Sequence, residues 1–191
     1  MSPAAFETGE PETVVQLSQG LSRLVAEGTA YLAPMPDAQF FAPQGKAWSP
    51  SEHVRHLRKS SAPVAMALKL PRLLIRIRFG LRSGPSRRFA EVRQNYLAKL
   101  AEGADAGSYT PRRDPPPANL TDRRREIMNA WAAVTVELTN AMAGWNEPDA
   151  DRYQLPHPIL GLLTVREMLI FTVYHTGHHL RRVQERAQEN R

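Results

Sequence analysis

The stretch Thr164-Val165-Arg166-Glu167-Met168-Leu169-Ile170-Phe171-Thr172-Val173-Tyr174-His175-Thr176-Gly177-His178-His179 reads as one helix with an unusual inner face. Thr164 with Glu167 three residues later is a capping box, so the helix starts here. Val165, Met168, Leu169, Thr172, His175, Thr176 and His179 then recur at the i, i+3, i+4, i+7 spacing of a core-facing stripe. Three of the six histidines fall near its end. Residues four apart share a helix face, so the imidazoles of His175 and His179 can converge on a single metal ion. His178 is offset from His179 by about 100 degrees and cannot easily point at the same centre. Unpartnered imidazoles on a core face each cost roughly 1–3 kcal/mol, and a shared divalent ion removes that cost.

A third candidate ligand lies far upstream in Trp48-Ser49-Pro50-Ser51-Glu52-His53-Val54-Arg55-His56-Leu57. Ser49 caps a helix, Pro50 takes its first position and Glu52 completes a capping box. His56 is four residues after Glu52 and close to Leu57 and Val64, which favours it as the ligand. His53, three residues earlier, leaves an alternative set open. Packing this helix beside the last one completes a three-histidine site.

The remaining chain supplies two more long helices. Val14, Leu17, Leu21, Leu24, Val25 and Leu32 predict an amphipathic helix over about residues 11–32, and Ile127, Trp131, Val134, Leu138 and Met142 predict another, capped by Thr121 and ending near Gly144. Pro63 is a possible kink in the second helix and Pro71 interrupts it. Arg72–Phe79 reads as a basic, apolar continuation or surface excursion, and Phe89, Val92, Tyr96, Leu97 and Leu100 as a short helix near 87–101. Pro111, Pro115, Pro116 and Pro117 make residues 103–119 a long loop. No run alternates like a strand, and 153–161 reads as a loop. The expected fold is therefore an all-α four-helix bundle, with an extra short helix and long loops between the second and third long helices.

With 191 residues, 42% of them hydrophobic, the chain can bury one sizeable core. One domain over 11–188 is expected, with residues 1–10 disordered. The absence of cysteine excludes disulfides and thiolate ligands. No stretch approaches the ~18 apolar residues of a membrane span, and no signal sequence opens the chain, so a cytoplasmic location is expected. The net charge of +6 is spread over several segments without a nucleic-acid-binding motif, which argues against that partner.

Three neutral imidazoles leave a divalent ion its full charge and an open position. Such an ion can lower the pKa of a bound water to about 7 or hold a thiol as thiolate. Glu52 and Glu167 resemble catalytic acids, but their capping boxes already explain them, and no catalytic side chain can be named. A small-molecule substrate follows, with Trp48, Tyr174 and the Pro156–Leu160 loop as candidate walls. The rival expectation is a non-catalytic bundle whose metal is structural. An open fourth position separates the first reading from the second.

These residues resemble a known family. Trp48-Ser49-x-x-Glu52-x-x-x-His56-Leu57, His157-Pro158-x-x-Gly161-x-Leu163-Thr164-x-x-Glu167-x-x-x-Phe171 and His175-x-x-His178-His179 are similar to the DinB-like superfamily of metal-binding four-helix bundles, over about residues 11–188. The resemblance implies His56, His175 and His179 as ligands of zinc or nickel and an up-down-down-up connection. The open site can support hydrolysis or thiol transfer, and the resemblance implies for the thiol S-transferase type a low-molecular-weight thiol such as bacillithiol or mycothiol as co-substrate. The family includes a maleylpyruvate isomerase type and members without known activity, and a stress-response role is the alternative. Arg181-Arg182 stands where members often carry Gly-Gln, and residues 71–119 exceed a minimal bundle, giving material for a lid or a homodimer surface.

Overall fold

Capping side chains set where the long helices begin. Ser49 Oγ accepts from the Glu52 backbone N–H, and the Glu52 carboxylate accepts from Ser49 N–H at 2.7 Å, starting α3 (Pro50–Leu68). Thr164 and Glu167 exchange the same two bonds at the start of α8 (Val165–Glu189). Thr13 and Gln16 form a third capping box, so α1 spans Val14–Leu32 rather than starting at 11. The expected cap of the third long helix is corrected. Asn119, not Thr121, accepts from Asp122 N–H at 3.0 Å and opens α6 (Leu120–Met142). Asparagine is at least as strong a cap as threonine, and Thr121, displaced into the first turn, donates to Asp37 at 2.5 Å.

The computed structural model describes residues 6–43, 45, 47–113 and 118–189. Between the long helices lie α2 (Asp37–Phe41), α4 (Arg72–Phe79), α5 (Phe89–Ala101), a 3-10 turn over Gly107–Tyr109, α7 (Glu147–Arg152), and the strands β1 (Gln154–His157) and β2 (Gly161–Thr164). Pro63 is carried inside α3 without ending it.

Contacts between helices fix their directions. Along α1 and α8, Gly20 faces Val173 and Gly28 faces Leu180, so these two run parallel. Arg124 bonds the Leu32 and Ala33 carbonyls while Glu147, just past α6, bonds Val14 N–H, so α1 and α6 are antiparallel. Lys69 reaches Glu137, and Trp145 donates to the Leu68 carbonyl, so the C-terminal ends of α3 and α6 lie together and the pair is parallel. The order is up-down-down-up. At Gly28 a Cβ would lie 2.8 Å from Leu180 and 3.0 Å from Trp131, because α1, α6 and α8 meet there at close range. Leu17, Leu24, Leu57, Trp131, Leu138 and Val173 fill the interior.

The segment between α3 and α6 is partly helical. Buried Ile75 anchors α4, and Phe89, Val92 and Tyr96 anchor α5, with Tyr96 edge-on to Phe171 of α8 at 5.1 Å. Of the proline-rich loop, residues 114–117 lie outside the described residues.

Two further expectations change. The loop expected over 153–161 is an antiparallel hairpin, with Gln154 opposite Thr164 and His157 opposite Gly161. Its turn ends at Gly161, whose φ of +73° suits a residue without a Cβ. Within 1–10, residues 1–5 lie outside the described residues, but Phe6 is buried and edge-on to Tyr31 at 5.5 Å. Its carbonyl accepts from Arg181 at 2.7 Å. Gly177 makes room for this arm, since a Cβ there would lie 2.6 Å from Thr8. Among the described residues no helix is long and apolar enough to cross a membrane.

Candidate metal centre

The antiparallel packing of α3 against α8 brings His56 opposite His175 and His179. His56 Nε2 lies 3.1 Å from His175 Nε2, which in turn lies 3.0 Å from His179 Nε2. All three residues are buried. A metal with ~2.0–2.1 Å bonds to imidazole needs nitrogens about 2.9–3.4 Å apart for octahedral to tetrahedral angles. The observed spacings fall in that interval. Among the described residues the group is His56, His175 and His179, with no fourth His, Cys, Asp or Glu joining it. This is a three-histidine cluster capable of coordinating a divalent metal.

Surrounding bonds aim the lone pairs inward. His56 Nδ1 donates to the Tyr109 carbonyl at 3.0 Å, which fixes the proton on Nδ1 and leaves Nε2 with its lone pair. His179 Nδ1 lies 2.8 Å from His53 Nδ1. His53 therefore stands at the outer edge of the His179 ring, not among the converging Nε2 atoms. Trp48 stacks on His179, with centroids 5.7 Å apart and planes 7° apart, and lies tilted over His56 at 4.9 Å. Burial lowers the pKa of every histidine here. His53 falls to about 3, with help from His56 and nearby arginines. His175 and His179 fall well below their ordinary range through burial and mutual repulsion. Burial also lowers His56, against the opposing pull of the Tyr109 carbonyl. Neutral imidazoles are what a metal requires.

His178 is outside this group, although it too lines the adjoining cavity. Its ring is edge-on to His179 at 5.4 Å and to Tyr96 at 6.3 Å, and burial with Arg182 and Arg181 lowers it to about 4.

The cluster forms part of the wall of a cavity of about 430 Å³. Trp48, Pro156, His157, Pro158 and Ile159 line it, as their sequence neighbourhood suggests. Tyr174 does not. It packs edge-on to Phe89 and Tyr96 at 6.3 and 6.1 Å, away from the expected wall. The segment between α3 and α6 contributes Phe79, Tyr96, Leu100 and Tyr109. Among the described residues no lysine or arginine lines it, and Asp105 is its one formally charged side chain.

Two polar groups of this cavity were not visible as such in the sequence. His157 Nδ1 accepts from the backbone N–H groups of Ile159 and Leu160, at 3.2 and 3.0 Å. Its proton is therefore on Nε2, and burial lowers its pKa to about 4. Tyr96, raised by burial to about 12, keeps its hydroxyl proton. Both are neutral hydrogen-bond donors at pH 7. Glu52 and Glu167 hold the capping positions described above, and Glu167 also bonds Arg87 and Arg82.

Comparison with known proteins agrees with this fold. No curated protein matches the chain by sequence. Among solved structures, YfiT from Bacillus subtilis, described as a probable metal-dependent hydrolase with an unusual four-helix bundle topology, is similar at 17% identity and a TM-score of 0.63. The match covers 99% of this chain and 93% of YfiT, and it supports the fold. The family model of the DinB superfamily matches residues 21–183. The chain, with its up-down-down-up helices and buried histidine cluster, belongs to the DinB superfamily of metal-binding four-helix bundles.

Proposed function

We propose that the protein is a metal-dependent hydrolase of small, uncharged, largely apolar molecules. One observation carries the reading: three inward-facing imidazole nitrogens, with no fourth protein ligand among the described residues, lie in the wall of an apolar cavity. His56, His175 and His179 would hold the ion, zinc or nickel being suited to three imidazoles. When bound, such an ion supplies Lewis acidity and a water acidified to about pKa 7. A closed, structural site carries four protein ligands instead.

The protein's own residues would do the rest. His56 is oriented by the Tyr109 carbonyl and His179 by His53. Phe171, stacked on His175 at 4.9 Å, and Trp48 keep bulk water from the ligand nitrogens. His157 Nε2–H and the Tyr96 hydroxyl are donors for a substrate carbonyl. Among the described residues the cavity lining holds no lysine or arginine, which favours a neutral substrate over an anionic one. The description of YfiT as a probable hydrolase points the same way.

The test is elemental analysis of protein purified without an affinity tag, followed by a screen of neutral aryl and alkyl esters and amides. One equivalent of metal and turnover abolished in His179→Ala are expected. Metal-loaded protein that turns over none of these, yet consumes a low-molecular-weight thiol, overturns the hydrolase reading.

A further inference from the structure

From His53 to Ala90 the chain contains no aspartate or glutamate, yet it holds ten lysines and arginines. Several of these are committed within the fold: Arg82 and Arg87 to Glu167, Arg72 to Asp149, Lys69 to Glu137. Arg76 and Arg78 on α4 are exposed and form no ion pair with a described residue. Alongside them lies an apolar stripe turned outward. Leu73, Leu74 and Ile77 share one side of α4, and Leu70 precedes them in the turn before Pro71; all are exposed, Ile77 at 73%, and Met66 at 66% extends the patch onto α3. The helix is held to the protein by the opposite side, through buried Ile75. An apolar face rimmed by arginines is the pattern of a helix lying in a lipid interface.

We infer that α4 and the end of α3 dock on an anionic lipid bilayer surface, with Leu73, Leu74 and Ile77 among the acyl chains and Arg76 and Arg78 at the headgroups. Charge decides the occupant. A second copy of the chain seated on this face would set Arg76 and Arg78 against their own mates, with no acidic residue in the surrounding segment to offset them. A nucleic acid would satisfy the arginines but leave the aliphatic stripe against phosphates and water. An anionic bilayer meets both features. Leu70, just before α4, and Phe79, its last residue, also line the cavity, so docking sets a cavity wall against the lipid.

Co-flotation of the full-length protein with phosphatidylcholine vesicles, with and without phosphatidylglycerol, tests this. Binding is expected only with phosphatidylglycerol and is reversed by high salt, which shortens electrostatic reach to about 3 Å at 1 M. The double variant Arg76→Gln/Arg78→Gln should bind about thirty-fold more weakly. Leu73→Ser/Ile77→Ser should fail to bind even at low salt. All four side chains are exposed, so unchanged thermal melting serves as the folding control. No binding by the parent protein, or binding indifferent to both variants, overturns the inference. So does a dimer dissociated by Leu73→Ser/Ile77→Ser in the absence of vesicle binding, which assigns the face to a second copy. RNA binding that survives Leu73→Ser/Ile77→Ser without vesicle binding also overturns it.

Discussion

The Nδ1 atoms of His53 and His179 lie 2.8 Å apart, so one ring must donate and the other accept. His179 needs its lone pair on Nε2, where it faces His175 at 3.0 Å, and so it is the donor. His53 thereby fixes the tautomer and orientation of a candidate ligand without touching the ion. Outer partners of this kind are worth 10–100-fold in metal affinity. We predict that His53→Ala weakens zinc binding by about that factor in a competitive chelator titration, that His179→Ala removes stoichiometric binding, and that His178→Ala changes it little. Equal affinities in His53→Ala and the parent would remove His53 from the site.

His157 tests the chemistry rather than the metal. Two backbone N–H groups occupy its Nδ1, so the ring can offer a substrate only an Nε2–H. Replacing one donor that stabilises a developing oxyanion costs about 10²–10³ in kcat. His157→Ala should show that loss with metal content unchanged. Melting should fall modestly as well, since the two turn bonds are worth about 1 kcal/mol each. Loss of metal in step with activity would instead make His157 a support of the cluster.

Acid should unfold the metal-free protein early. His53, His157 and His178 are lowered to about 3, 4 and 4 in the folded state, chiefly by burial. In the unfolded chain they regain an ordinary pKa of about 6.5. Between those limits the unfolded state binds more protons, so stability present above pH 6.5 declines as pH falls toward 4. Chemical denaturation of apo-protein at intervals over this range should show a falling midpoint. A flat profile contradicts the burial of these rings as neutral species.

The starts of α3 and α8 were legible to within a residue because a capping box is a local signal: Ser49 with Glu52 and Thr164 with Glu167 bond within one turn. The His175/His179 pair was legible for the same reason, since helical spacing places the rings. Which of His53 and His56 joins them depends on the rotation of α3 against α8 and on the Tyr109 carbonyl, 53 residues away from His56. No local pattern carries that. The hairpin was hidden by Pro156 and Pro158, which weaken any strand signal. Phe6 looked frayed because the groove that receives its arm is made by Gly177 at the far end of the chain.

Glu167 carries a second task that its capping box concealed. It is fully buried, and its carboxylate accepts from Thr164 N–H, from Arg87 N–H at 2.8 Å, from the Arg87 side chain at 3.0 and 2.8 Å, and from Arg82 at 3.0 Å. Burial raises its pKa, but the Arg87 guanidinium and the backbone donors outweigh burial and hold it below the usual carboxylate range. This one group ties the chain between α4 and α5 to α8, and that chain brings Phe79 and Tyr96 to the cavity. Glu167→Ala should destabilise the protein by about 2–4 kcal/mol, somewhat less than a fully buried pair would lose, because both arginines reach solvent. Glu167→Gln, keeping one acceptor, should cost less. The difference between parent and Glu167→Gln is present above about pH 4.5 and disappears as pH falls through the lowered pKa of the folded state, where the parent carboxylate is protonated too. Denaturant titration measures both effects. Metal affinity should hold in Glu167→Gln, whereas a loss of metal larger than the loss of stability would place Glu167 in the support of the cluster itself.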